Sequence, residues 1–144
     1  MDTYAAEVVA ALNCEDAIPH ATVIGLSGDL GSGKTAFAKA LARALGITEN
    51  IPSPTFVIAK YYDISHNGHF SRLIHIDAYR VESPDELKVL GWEKELRDPQ
   101  NLIVVEWPER LGGEFPLYAR QFNFLFVNEE TRFISEPKMI SLPS

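Results

Sequence analysis

The sequence predicts an α/β domain with a mixed, mostly parallel β-sheet flanked by helices, expected to occupy residues 1–144 as one unit. Three observations carry that expectation. A β-branched apolar run, TVIGLS (Thr22 to Ser27), leads through a glycine-rich turn into AFAKALARAL (Ala36 to Leu45), whose apolar residues recur at helical spacing. A second run, LIVVE (Leu102 to Glu106), is hydrophobic without alternation, as a parallel strand covered on both faces must be. No internal repeat, low-complexity tract or linker interrupts the chain.

The elements follow in order. Thr3 to Leu12 places Ala5, Val8, Val9 and Leu12 at helical spacing, and Glu15-Asp16 with Pro19 closes this opening helix. The strand at Thr22 to Ser27, a glycine loop and the helix ending before Gly46 come next. A proline-bracketed loop, Ile51 to Pro54, precedes FVIAKYYD (Phe56 to Asp63), a polar turn with His66-Asn67-Gly68, and RLIHID (Arg72 to Asp77). Those two runs predict a hairpin. Ser83 with Glu86 three residues on forms a capping box, and Pro84 takes the favoured first helical position, so a short helix is expected to about Leu90 before Gly91. Glu93-Lys94-Glu95 reads as a solvated helix face. After LIVVE and a Gly/Pro loop, QFNFLFV (Gln121 to Val127) alternates as a half-exposed strand, and a last short strand is expected around Phe133.

Composition narrows the function. With 46% hydrophobic and 23% charged residues, the chain is neither disordered nor collagen-like. Thirteen Lys and Arg against 20 Asp and Glu give a net charge of -7, which works against this domain gripping a nucleic-acid backbone by itself. The lone Cys14 cannot form an internal disulfide or a cysteine-rich zinc site, favours a reducing compartment, and is expected to be a buried, unreactive thiol. Met1 to Leu12 lacks the basic start and apolar core of a signal peptide, and no window approaches the roughly 18 apolar residues that span a bilayer. A cytoplasmic location is expected.

The turn after the first strand carries the chemistry. Gly28-Asp29-Leu30-Gly31-Ser32-Gly33-Lys34-Thr35 satisfies G-x-x-x-x-G-K-[ST] in full, with the preceding strand and following helix that the motif requires. Glycines let successive backbone N–H groups curl inward, and the helix starting near Lys34 aims its positive end at the same point. Lys34 then offers a mobile charge to the β- and γ-phosphates of a nucleotide, and the Thr35 hydroxyl offers an oxygen to Mg²⁺. This pattern specifies the P-loop NTPase fold.

A phosphate-bound Mg²⁺ also calls for an acidic group at the end of a neighbouring strand. Two strands end that way, RLIHID at Asp77 and LIVVE at Glu106. In an open α/β sheet both ends fall on the ligand-binding edge, where either carboxylate suits a base or a metal ligand. Ser53-Pro54-Thr55 lies where nucleotide switches place a γ-phosphate-sensing hydroxyl, although the same triplet is ordinary turn chemistry. His75, among apolar neighbours, is expected to be structural, and Trp92, Trp107 and Phe122 to be packing residues.

The absence of N-K-x-D, T-K-x-D and D-x-x-G segments disfavours a Ras-like GTPase and points to adenine. An ATP-dependent small-molecule kinase shares the phosphate loop and Mg²⁺ but needs an arginine-rich lid. Here Arg80, Arg97, Arg110, Arg120 and Arg132 are scattered singly. A nucleotide switch acting through a partner is the third class consistent with these features.

Four segments taken together, GDLGSGKT (Gly28 to Thr35), SPTF (Ser53 to Phe56), HIDAYR (His75 to Arg80) and VEWPE (Val105 to Glu109), resemble in order and spacing the TsaE (YjeE) family of bacterial P-loop ATPases. The resemblance spans roughly Thr3 to Arg132. It implies a part in making tRNA threonylcarbamoyladenosine, with slow ATP hydrolysis to ADP and phosphate assisting a TsaD–TsaB complex that performs the transfer and contacts the tRNA. Residue by residue, it implies that Gly31, Ser32, Gly33, Lys34, Thr35 and Ala36 cradle ATP phosphates and that Thr35 and Glu106 hold Mg²⁺. It makes Asp77 the Walker B aspartate, a further metal-site residue, and Thr55 the switch threonine. With Lys34 and Glu106, these two form the catalytic set, and Asp77 and Thr55 are the candidates for orienting the attacking water. Thr3, Glu109 and Arg132 match nucleotide-contacting positions. The chain departs from the family pattern by starting almost in its first helix and by carrying Thr131 where a glycine usually precedes the late arginine.

Overall fold

The computed structural model describes residues 1–16, 18–29, 31–47, 58–83, 85–126 and 132–136. In chain order these form α1 (Asp2–Cys14), β1 (Thr22–Gly28), α2 (Lys34–Ala44), β2 (Ala59–Asn67), β3 (Phe70–Asp77) and a 3-10 turn (Ala78–Arg80). Then come α3 (Asp85–Val89), α4 (Trp92–Leu96), β4 (Asn101–Glu106), a 3-10 segment (Pro108–Glu114) kinked at Gly112, β5 (Arg120–Phe126) and β6 (Arg132–Ser135). The strands make one sheet in the order β2-β3-β4-β1-β5-β6. Its centre is parallel, with β4 and β5 on either side of β1 and β3 beside β4, while β2 and β6 close the edges in antiparallel pairing. The expected mixed, mostly parallel sheet is therefore present.

Hydrophobic patterning explains the layering. Every residue of β4 is buried, because helices cover both of its faces. Ile24, Leu26, Leu102, Val104, Phe122 and Phe124 turn to α1 and α2, and the alternate residues Val23, Ile74, Ile103 and Val105 meet Leu87, Trp92 and Leu111 on the opposite side. Phe37 of α2 is fully buried at the centre of the first layer, with ring centroids 5.6 Å from Tyr4, 5.6 Å from Phe122 and 5.5 Å from Phe124.

Some local expectations change. Helix α1 runs on to Cys14, whose thiol is exposed, not buried. The buried stripe of α1 is Ala5, Val9 and Leu12, and Cys14, two positions beyond Leu12, falls on the solvent side. The hairpin is tighter than its polar sequence implies, since β2 continues to Asn67 and β3 begins at Phe70, with Gly68 at φ +60° in the turn. The loop after β4 is a 3-10 segment with Pro108 in its first position. The capping box forms as read: Asp85 N–H donates to Ser83 Oγ at 3.1 Å, and the Glu86 carboxylate accepts from Ser83 N–H at 3.3 Å and Glu82 N–H at 2.6 Å. Pro84 and the Ile51–Pro54 loop lie outside the described residues. Among the described residues no helix is long and apolar enough to cross a membrane.

Phe37→Ala removes the ring that joins α1, α2 and β5, and is expected to cost about 3–5 kcal/mol of unfolding free energy in urea titration. A loss below about 1 kcal/mol would contradict this packing.

Candidate functional site

The site is built where β1 gives way to α2. Gly28 sits at φ +144°, and a Cβ there would lie 2.5 Å from the carbonyl oxygen of Phe124, so β5 passes too close for any side chain. Gly31 and Gly33 adopt φ of +77° and +107°, conformations that cost other residues energy. The resulting curl delivers the chain into α2 at Lys34, with Gly33 as N-cap and no side chain capping the first turn. First-turn N–H groups have no intrahelical acceptors, and with the helix dipole they favour an anion. The Ser32 hydroxyl is fully buried with no partner among the described residues, a polar atom that a ligand in the loop can satisfy.

Lys34 is 5% exposed, and its ammonium donates to the carbonyl oxygens of Gly28 and Asp29, the latter at 2.9 Å. It also stands 4.0 Å from the centroid of the Trp107 ring. Burial pushes the Lys34 ammonium below the usual lysine value, while the carboxylates of Glu106, Glu109, Asp29 and Asp77 pull it back up. One buried cation thus faces four acidic groups.

Parallel pairing of β3 with β4 sets Asp77 opposite Glu106, so both strand-end carboxylates stand side by side at the carboxyl edge. Glu106 is 3% exposed and tightly held. Thr35 Oγ1 donates to its Oε1 at 2.8 Å, and His75 Nε2 lies 2.6 Å from its Oε2. Burial pushes the Glu106 carboxyl up, but the His75 and Thr35 hydrogen bonds and the Lys34 charge outweigh it and hold the group below its usual 4.5. Asp77 accepts the Tyr79 backbone N–H at 3.2 Å, which starts the 3-10 turn.

Beyond Glu106 the chain turns at Trp107, a bulky residue at φ +62° whose N–H donates to Leu26 O at 3.1 Å. Such backbone costs about 1–3 kcal/mol and persists where surrounding structure dictates it. It sets the indole between Lys34 and Tyr79, whose ring centroid is 5.2 Å away, and Arg110 stands 5.0 Å over the Tyr79 ring. A cleft of about 390 Å³ results, floored by Gly31 and Gly33 to Ala36 and walled by Asp77, Tyr79, Arg80, Glu106 and Trp107.

The sequence-predicted residues Gly31, Gly33, Lys34, Thr35, Ala36, Asp77 and Glu106 therefore converge on one cleft, with Ser32 buried in the loop. Glu109 is exposed and accepts from Ser27 Oγ at 3.2 Å, beside the end of β1. Thr3 is not among the residues that line the cleft. It is exposed on the first turn of α1, next to Asp2, whose carboxylate pairs with Arg43 in the last turn of α2, the end opposite Lys34. Thr55 lies outside the described residues, as does the side chain of Arg132 at the start of β6. Trp107, read from sequence as a packing residue, lines the cleft, whereas Trp92 and Phe122 are buried in the core as expected. Tyr79, Arg80 and the contact of His75 with Glu106 were not anticipated, although strand alternation already set His75 on the face of Asp77.

The Glu106 arrangement has a pH signature. Its folded-state pKa lies below the unfolded one, so its stabilisation is complete above the usual value of 4.5 and is lost as pH falls through the folded-state value. The difference in unfolding free energy between the native sequence and Glu106→Gln is expected to narrow as pH drops from about 5 to about 3. A difference that stays constant over that range would contradict the arrangement.

Comparison with known proteins agrees with this architecture. The family model described as "Threonylcarbamoyl adenosine biosynthesis protein TsaE" matches residues 2–134. Proteins named tRNA threonylcarbamoyladenosine biosynthesis protein TsaE from Borreliella burgdorferi and Treponema pallidum are 41% and 38% identical over 64% and 82% of this chain. The matched segments span 64% of the Borreliella protein and 83% of the Treponema protein. The Bacillus subtilis protein of the same name is 39% identical over 78% of this chain and 67% of its own length. A crystal structure of Bacillus subtilis YdiB superposes with a TM-score of 0.68 at 29% identity, covering 94% of this chain and 76% of that one. With a six-stranded P-loop sheet and a family match along nearly its whole length, the chain belongs to the TsaE family.

Proposed function

We propose that this protein binds ATP with Mg²⁺, hydrolyses it slowly to ADP and phosphate, and takes part in making tRNA threonylcarbamoyladenosine in the cytoplasm as helper of a TsaD–TsaB complex. The observation that carries the nucleotide reading is the meeting of Lys34, Thr35 and Glu106 at the first turn of α2. The pathway and partners rest on what the family's members are named for and on the sequence resemblance. The net charge of -7 suits a helper whose partners hold the RNA.

The loop amides and Lys34 are suited to bind the polyphosphate and to stabilise charge on the transferring group. On nucleotide binding, Lys34 would exchange its carbonyl partners for phosphate oxygens. Thr35 and Glu106 offer hard oxygens of the kind Mg²⁺ takes, and the ion would complete its shell with phosphate and water. When bound, Mg²⁺ would screen phosphate charge. Electrostatics favour its presence, because Lys34 and Arg80 in the cleft are already matched by Asp77 and Glu106, so a bound polyphosphate would bring uncompensated negative charge. Asp77, in register with Glu106 and facing the cleft, is the candidate for orienting the attacking water, together with Thr55.

Phosphate release from Mg-ATP, measured alone and with TsaD and TsaB homologues, tRNA and the threonylcarbamoyl donor, tests this reading. Slow turnover that rises with partners, alongside repeated rounds of tRNA modification, is expected. Lys34→Ala and Glu106→Ala should each lower turnover by about 100-fold or more while the proteins stay folded. Unchanged turnover in both would overturn the assignment, and ADP formation matched by a phosphorylated small molecule would make the protein a kinase. Chelation with EDTA is expected to stop phosphate release, and release that continues undiminished would rule out the metal-dependent reading.

A further inference from the structure

We propose that His75 is a positioning residue for the metal site: its Nε2–H bond to Oε2 of Glu106 fixes the rotation of that carboxylate, leaving Oε1 and the Thr35 hydroxyl as the oxygen pair beside the cation. The inference rests on the Mg-nucleotide reading above and adds to it a residue outside the cleft.

The geometry has three parts. His75 and Glu106 lie 2.6 Å apart with side-chain exposures of 11% and 5%, so the hydrogen bond is largely withdrawn from water. The β3–β4 register pairs His75 with Val104 and Asp77 with Glu106, placing all four on one face of the sheet, and the imidazole reaches diagonally to the carboxylate. Thr35 takes Oε1 from the other side at 2.8 Å. Glu106 is thus clamped from β3 and from α2, and each clamp holds a different oxygen.

His75 is not among the residues lining the cleft, so it acts through Glu106. Buried metal ligands depend on such outer partners, whose loss typically costs about 10–100-fold in metal affinity. A histidine serving only to satisfy a buried carboxylate would support folding without setting the metal requirement. The two roles differ in what they predict for Mg²⁺ dependence.

Calorimetric titration of ADP into the full chain, in EDTA and across a Mg²⁺ series, separates them. His75→Phe, similar in volume and without a donor, is expected to keep the EDTA affinity within about twofold and to raise the half-saturating Mg²⁺ concentration about 10–100-fold. His75→Gln, whose amide nitrogen can occupy the Nε2 position, is expected to restore most of the native Mg²⁺ requirement. If His75→Phe fails to fold, His75→Asn, too short to reach Oε2, replaces it against His75→Gln. A folded Phe or Asn variant with the native Mg²⁺ requirement would overturn the positioning role. No ADP binding by the native protein would overturn the nucleotide reading and this inference with it.

Discussion

A carboxylate buried at the end of a fully buried strand is the constraint around which this molecule is arranged. Glu106 follows five buried residues of β4, where an unpaired charge would cost several kcal/mol. It is stable there because α2 supplies the Thr35 hydroxyl and, nearby, the Lys34 ammonium, and β3 supplies an imidazole. The partners come from β3 and α2, so the carboxylate can be satisfied only when β3, β4 and α2 are assembled. Fold and site are one event in this region.

The cleft lining sets Lys34 and Arg80 against Asp77 and Glu106. Lys34 is the buried cation in the loop, and its hydrogen bonds go to the carbonyls of Gly28 and Asp29. Those carbonyls and the Trp107 ring hold the ammonium beside the first turn of α2, where a phosphate oxygen would compete for it. Trp107 reaches that position through a backbone conformation that a bulky residue rarely adopts, and its N–H bond to Leu26 anchors the turn. Strain at this point links the end of β4 to the wall of the cleft.

Much of this was legible in the chain. Continuous hydrophobicity in LIVVE identified a strand covered on both faces, the glycine-rich turn identified the loop, and the Ser83–Glu86 spacing identified a helix start that forms with the expected hydrogen bonds. Acidic residues closing two apolar runs pointed to Asp77 and Glu106, which pairing register then sets side by side. What the sequence concealed depends on contacts between elements. Nothing local to HIDAYR says that β4 will bring Glu106 within 2.6 Å of His75. Trp107 looked like core because its role follows from a φ of +62° that its residue type disfavours. Thr3 follows from the resemblance alone, and its neighbours Asp2 and Tyr4 meet Arg43 and Phe37 at different turns of α2. Cys14 is expected to be buried, yet the apolar stripe of Ala5, Val9 and Leu12 already sets position 14 on the solvent side of α1.

The most direct test of the central claim is a crystal structure of the protein with Mn²⁺ and a non-hydrolysable ATP analogue, using the anomalous signal of the metal to locate it. The account predicts one strong peak within coordination distance of Thr35 Oγ1, adjacent to Glu106, with the terminal phosphates on the amides of Gly31 to Thr35 and on Lys34. A nucleotide bound away from this loop, or a metal held without Thr35 and Glu106 in its immediate surroundings, would contradict it.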